Sequence, residues 1–138
     1  RTGLNQDLGF SDEDRHENIR RTAEMAKLFL QAGTIVIASL ITPQKALRSL
    51  ARTIIGSVDF FEVYLECSFE QCAKRDVKGL YQKAQKGLVE NFTGHNALFE
   101  EPDEADLTLD TEHQSFEDSF TKLYQAVSER VTLSDVRV

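Results

Sequence analysis

The sequence has no apolar run long enough to span a bilayer and no secretory leader pattern, so a cytoplasmic protein without a membrane attachment is expected. It has only two cysteines, Cys67 and Cys72, which do not form a metal-binding pattern. Reduced structural thiols are the reading that fits so few. An excess of positive charge is also missing. Sixteen Lys and Arg face 23 Asp and Glu, for a net charge of −7, which argues against a nucleic-acid surface and against electrostatic docking on anionic membranes. No repeat, low-complexity segment or internal linker interrupts the chain. No G-x-x-x-x-G-K-[ST] pattern occurs, so these residues contain no such loop to cradle nucleotide phosphates.

What is present fits one globular domain of 138 residues with 41% hydrophobic residues. Charge is unevenly spread: residues 1–60 hold eight Lys/Arg against seven Asp/Glu, and residues 61–138 hold eight against sixteen. Nine of the acidic residues fall between Glu100 and Asp118, which reads as a solvated loop and helix start. Any local anion site then belongs to the basic side chains near the amino end.

Helix and strand patterns alternate. Ile19, Ala23, Ala26, Phe29 and Leu30 recur at helical spacing, predicting one helix over 12–32 that ends near Gly33. Residues 34–41 (TIVIASLI) form an apolar β-branched run, expected as a parallel strand buried on both faces. Thr42 is expected to cap a helix with Pro43 in its first turn, reaching Ile55. A second strand is expected over 60–65, a helix capped by Ser68 to Arg75, and a short helix over 78–86 stopped by Gly87. A third strand is expected over 107–110. Phe116, Phe120, Leu123, Val127 and Val131 are expected as one stripe of a closing helix, with Ser115 and Asp118 as its capping box. Strand–helix alternation predicts a parallel sheet with right-handed crossovers, and in such sheets ligands sit beyond the carboxyl ends of strands.

The opening segment is the richest in chemistry. Residues 1–21 interleave Arg1, Arg15, Arg20 and Arg21 with a Gly9-Phe10 turn and a helix start. Ser11 and Asp14 have capping-box spacing, and Arg15 and Asn18 lie three residues apart on one helical face. An arginine fork matches a phosphate or sulfate face, and Phe10 could cover a flat ring. A solvated, salt-bridged helix start would use the same residues. The cluster of Arg75, Lys78, Lys83 and Lys86 around Gly79-Leu80-Tyr81 is similarly open: an exposed basic helix, or a flap that brings positive charge to phosphates.

Four blocks, in order, resemble the adenylylsulfate kinase (APS kinase) family. Arg1-Thr2-Gly3-Leu4-Asn5-Gln6-Asp7-Leu8-Gly9-Phe10 is similar to its Arg-x-Gly-Leu-Asn-x-Asp-Leu-Gly-Phe motif. Ile37-Ala38-Ser39-Leu40-Ile41-Thr42-Pro43 is similar to its strand-end Ser-Phe-Ile-Ser-Pro. Arg75-Asp76-Val77-Lys78-Gly79-Leu80-Tyr81 matches its Arg-Asp-x-Lys-Gly-Leu-Tyr lid. Phe92-Thr93-Gly94, followed by Glu100-Glu101-Pro102, matches its Phe-Thr-Gly segment and acidic-proline turn.

The resemblance implies a three-layer α/β fold of the P-loop NTPase type with a parallel sheet. The amino-terminal strand–P-loop–helix unit would be absent from this chain, leaving 1–138 as a kinase domain incomplete at its amino end. It implies transfer of the ATP γ-phosphoryl to the 3′-hydroxyl of adenylylsulfate in sulfate assimilation, with Mg²⁺ as cofactor. The implied adenylylsulfate contacts are Arg1, Phe10, Arg15, Asn18, Ile41, Thr42, Lys78, Leu80, Asn91 and Phe92, with Phe10 and Phe92 on either side of the adenine. Arg75 would approach the nucleotide triphosphate and Thr111 the ATP adenine. Thr42 keeps the hydroxyl of a serine proposed as a phosphorylated residue in bacterial members. The catalytic base would be an aspartate ahead of Arg1, so these residues alone are expected not to catalyse. A homodimer is implied, and a fusion or complex with ATP sulfurylase is a further option. A second reading is a kinase-like domain that binds the product as an allosteric regulator of an ATP sulfurylase.

Several positions depart from the family pattern. Ser-Pro-Tyr-Arg followed by Asp-Arg becomes Thr42-Pro43-Gln44-Lys45 followed by Leu47-Arg48. Exchange of arginine for Lys45 removes a bidentate fork. After Gly94 the usual Ile-Asp-x-Pro-Tyr becomes His95-Asn96-Ala97-Leu98-Phe99.

Overall fold

A computed structural model describes residues 2–88, 93 and 98–131. Arg1, Asn91 and Phe92 lie outside the described residues. The chain divides into two compact units, Arg1–Phe60 with Asp76–Asp103, and Phe61–Arg75 with Glu104–Val138.

In the first unit, Ser11 starts helix α1, Asp12–Gln31, by accepting the Asp14 N–H on its hydroxyl at 3.1 Å. Asp12, Glu13 and Asp14 fill the first turn, where negative charge opposes the positive end of the helix dipole. The helix stops at Ala32, and Gly33 follows with φ of 76°. Ile19, Ala23 and Ala26 are its buried residues, at the spacing of a single face. Helix α2, Lys45–Ile55, packs against α1 and buries Leu47 to 2% exposure. Burial of a leucine side chain contributes about 1.5–3 kcal/mol. Leu47 stands where the family pattern has an aspartate, so that departure supplies core.

The apolar run 34–41 does not form the expected strand. Ile35, Ile37 and Ile41 are 60%, 92% and 67% exposed, and no ladder includes them. A strand apolar on both faces needs paired neighbours and covering layers, and the only ladder among the described residues joins two other segments. The expected cap at Thr42 is also corrected: α2 begins at Lys45 after Gln44, and Thr42 adopts φ of 42°. The carboxylate of Glu100 supplies the cap instead, accepting the Lys45 N–H at 2.7 Å.

In the second unit, β1, Val63–Glu66, pairs in parallel with β2, Leu107–Asp110, in the register Val63↔Leu107 to Glu66↔Asp110. Leu109 on β2 is 2% exposed. Helix α3, Phe69–Arg75, follows β1, with the Ser68 hydroxyl accepting the Gln71 N–H at 3.3 Å. Helix α5, Phe116–Val131, packs on β2. Its capping box forms as expected: the Ser115 hydroxyl accepts the Asp118 N–H at 3.0 Å and donates to the Asp118 carboxylate at 2.8 Å.

The expected apolar stripe of α5 is split. Leu123 and Val127 are half-buried, whereas Phe116 and Phe120 are 78% and 56% exposed. Phe116, Phe120 and Tyr124 instead stack along the helix with centroids 6.3 and 6.1 Å apart. The basic helix expected over 78–86 belongs to the first unit and is shorter than expected. Helix α4 spans Leu80–Gln85, set between Gly79 and Gly87, both at positive φ.

Candidate functional site

Of the acceptor-side candidates, Phe10, Arg15 and Asn18 lie at the start of α1 in the first unit. Gly9 can have no larger replacement there without movement, because a Cβ would lie 2.8 Å from Asp14 Oδ2. Phe10 follows and is 61% exposed. Arg15 reaches back to donate from Nε to the Phe10 carbonyl at 3.2 Å, and across to Thr93 Oγ1 from Nη1 at 3.4 Å. One guanidinium thereby joins the first motif to the Phe-Thr-Gly segment. Asn18 is half-buried one turn beyond Arg15, and its carbonyl accepts the Thr22 hydroxyl.

A second arginine fixes the loop that precedes this site. Arg21 binds both oxygens of Asp7 at 2.7 and 3.0 Å, the Leu4 carbonyl at 2.8 Å and Glu17 Oε1 at 2.8 Å. Arg20 pairs with the same glutamate at 2.7 and 2.9 Å. Hydrogen bonds from Arg20 and Arg21 push the Glu17 carboxyl down to about 2. Arg21 also holds the Asp7 carboxyl below its ordinary value. Two of the four opening arginines therefore serve the scaffold, as the salt-bridged reading of this segment has it, and Arg15 faces the motif loops.

Ile41 and Thr42 lead into the turn before α2. Ile41 is exposed, Pro43 is buried, and Gln44 Nε2 donates to Asp12 Oδ1 at 3.2 Å, tying this turn to the start of α1. A left-handed backbone at a β-branched residue costs about 1–3 kcal/mol and needs surrounding support. At Thr42 the support includes Arg48, whose Nη1 donates to the Thr42 carbonyl at 2.8 Å.

Lys78 and Leu80 sit at the start of α4, with Lys78 exposed and Leu80 40% exposed. Asp76 sets that helix start: its carboxylate accepts the Tyr81 N–H at 3.0 Å and the Gln82 N–H at 3.1 Å. Sequence reasoning used the surrounding motif but missed this role. The available signal was an acidic residue just ahead of a glycine and a helical run.

The nucleotide-side candidates meet in the second unit. Arg75 Nη2 donates to the Thr111 carbonyl at 2.7 Å, and Nη1 contacts Cys67 Sγ at 3.7 Å. Thr111 extends the β1–β2 pairing, donating to the Glu66 carbonyl from its N–H at 2.9 Å and from its hydroxyl at 3.0 Å. Burial, with Cys72 nearby, pushes the Cys67 thiol up, so it is not an activated nucleophile. After β2, the Ser68 N–H donates to Glu112 at 2.8 Å and holds its carboxyl below the ordinary range. Asp110 contacts the His113 ring at 2.9 Å and raises its pKa.

Among the described residues no group of three His, Cys, Asp or Glu side chains is placed to hold a metal ion. Magnesium that bridges nucleotide phosphates can take only one or two protein carboxylates, and these residues supply no cage for it. Among them, no helix is long and apolar enough to cross a membrane.

Comparison with known proteins gives a consistent answer. The adenylylsulphate kinase family model matches residues 1–110. An adenylyl-sulfate kinase of Bacteroides thetaiotaomicron is 50% identical over 131 residues, covering 95% of this chain and 65% of the relative. One from Staphylococcus haemolyticus is 50% identical over 125 residues, covering 91% of this chain and 63% of the relative. The chain thus spans a little under two thirds of the length of these curated relatives. The Mycobacterium tuberculosis APS kinase, solved in complex with AMPPNP and APS, superposes with a TM-score of 0.84 at 36% identity, covering 91% of this chain and 73% of that one. The α/β architecture with its parallel strand pair is accordingly that of the P-loop NTPase type. The chain belongs to the adenylylsulphate kinase family.

Proposed function

We propose that the protein phosphorylates the 3′-hydroxyl of adenylylsulfate at the expense of ATP, producing 3′-phosphoadenylylsulfate for sulfate assimilation in the cytoplasm. The observation that carries this reading is the Arg15 fork. It joins the Phe10 turn to Thr93, 78 residues from Arg15, so two family motifs distant in sequence meet at one cation. A relative solved with both a nucleotide analogue and APS supports the same ligand classes.

In this reading the oxygen of the 3′-hydroxyl attacks the γ-phosphorus, the bond to the β–γ bridging oxygen breaks, and ADP departs. The hydroxyl proton passes to a carboxylate that the family pattern places ahead of Arg1. This chain's residues mainly position the acceptor. Phe10 and Phe92 cover the adenine; Arg1, Arg15 and Asn18 hold the anionic group; Ile41, Thr42 and Asn91 line the wall. Lys78 and Leu80 close over adenylylsulfate, while Arg75 and Thr111 serve the ATP side. Magnesium, when bound, neutralises charge on the transferring phosphoryl group. Such catalysis consists largely of positioning and electrostatic stabilisation. The protein acts as a homodimer, and fusion with an ATP sulfurylase is compatible with the same chemistry.

The test is an assay with ATP and adenylylsulfate that follows ADP release and identifies the product. The full-length protein is expected to yield 3′-phosphoadenylylsulfate, and residues 1–138 alone are expected to bind without turnover. A full-length protein that binds 3′-phosphoadenylylsulfate but forms none would favour the regulatory reading, which no observation on this chain favours now.

A further inference from the structure

Thr42 sits in a conformation that a threonine disfavours on its own, with φ of 42° at the position before Pro43. A residue before proline is restricted further by the ring. Something outside the turn must hold it. The structure supplies a two-armed clamp from α2. Arg48 Nη1 donates to the Thr42 carbonyl at 2.8 Å, and Nη2 donates to the Glu100 carbonyl at 2.6 Å.

Glu100 completes the arrangement from the other side. Its N–H donates to the Pro43 carbonyl at 2.8 Å, and its carboxylate accepts the Lys45 N–H at 2.7 Å. Two hydrogen bonds thus join Pro43 and Lys45 to Glu100, a third joins Arg48 to it, and the fourth ties Arg48 to Thr42. The guanidinium also lies 5.8 Å from the centroid of the Phe99 ring, in cation–π range. A fork that serves two carbonyls at once is a task for arginine, since lysine offers one compact donor group. Leu47, the residue beside Arg48, is buried, which anchors the helix carrying the clamp.

We infer that Arg48, with Glu100, is a positioning residue for the acceptor: it keeps Thr42 left-handed and so aims the Ile41-Thr42 wall at adenylylsulfate. Arg48 acts through Thr42 and does not itself touch substrate. This inference rests on the proposed function, and it adds a device that none of the acceptor contacts includes.

A double-substitution cycle on the full-length protein tests it, with adenylylsulfate and AMPPNP binding measured by calorimetry alongside KM and kcat. Removal of a charged hydrogen-bond clamp should weaken adenylylsulfate binding about tenfold or more in Arg48→Ala. KM for adenylylsulfate should rise in parallel while AMPPNP affinity stays the same. Arg48→Lys, which keeps the cation and is the safeguard should Arg48→Ala not fold, should fall between the two. Glycine takes positive φ without penalty. In a Thr42→Gly background, therefore, Arg48→Ala should cost less than about threefold, the two sites being coupled.

Equal losses for adenylylsulfate and AMPPNP, or the same loss in both Thr42 backgrounds, would mean a general structural role and overturn the inference. So would unchanged adenylylsulfate affinity in both Arg48 variants. If the unsubstituted protein binds no adenylylsulfate, the functional reading fails first, and the positioning role fails with it.

Discussion

The two compact units hold their candidate residues by different means. In the first, candidates sit on loops and at the starts of α1 and α4, and arginine forks fasten the loops: Arg21 to Asp7 and Leu4, Arg15 to Phe10 and Thr93, Arg48 to Thr42 and Glu100. In the second, Thr111 is the direct continuation of a parallel ladder, and carboxylates accept backbone N–H groups around it. A ladder fixes position through repeated backbone bonds that are insensitive to side-chain identity. A fork fixes position through one side chain, so a single substitution can release a loop. The acceptor side should therefore be the more fragile half of the protein by mutation, by acid and by salt.

Matched core deletions would break the comparison most severely. Leu47 and Leu109 are each 2% exposed, and Leu→Ala at such sites costs about 2–5 kcal/mol. Thermal or denaturant melting should show losses of that size for both. Leu47→Ala should impair adenylylsulfate binding first and Leu109→Ala nucleotide binding first.

Arg15→Ala comes next. It bridges to Thr93, 78 positions away, and loss of the fork should weaken adenylylsulfate binding by about 1.5–3 kcal/mol, with Arg15→Lys recovering little of it. Calorimetric titration reads this directly, and AMPPNP affinity should be spared.

Asp76→Ala removes the acceptor of two N–H groups at the start of α4. A lost cap costs about 1 kcal/mol, so hydrogen exchange at Tyr81 and Gln82 should quicken while Thr111 stays protected.

The smallest effect is that of acid. Glu17 and Asp7 are both held below their ordinary values by arginine. Groups with a depressed folded pKa contribute stability above the unfolded pKa, and that stability is lost as pH falls through the folded value. For Glu17 the window runs from 4.5 down to about 2. Exchange protection across residues 3–21 should decline through this range. Glu17→Gln should remove most of the decline, and added salt should mimic part of it.

Local signals in the sequence were good guides where local physics decides. The Ser11–Asp14 and Ser115–Asp118 boxes form as their spacing predicts, α1 buries Ile19, Ala23 and Ala26, and Leu107–Asp110 is a strand as expected. Arg75 and Thr111 meet, and Phe10 and Arg15 share a hydrogen bond. What could not be read depends on partners distant in sequence. The run at 34–41 is as apolar as a buried strand, but apolarity does not supply a pairing neighbour. The left-handed Thr42, its clamp from Arg48 and the cap from Glu100 require the approach of residues 99–100 to residues 42–48, which no window along the chain contains. Nor does helical period alone tell which residues of α5 meet β2: Phe116, Phe120 and Val131, expected on one stripe with Leu123 and Val127, are exposed.

The central claim is that the loops gathered by Arg15 form an adenylylsulfate site. Calorimetric titration of the protein with adenylylsulfate, with AMP as the control, tests it most directly. The account predicts one saturable site that prefers adenylylsulfate over AMP and is lost in Arg15→Ala. Equal affinity for the two ligands, or adenylylsulfate binding that survives Arg15→Ala unchanged, would contradict it.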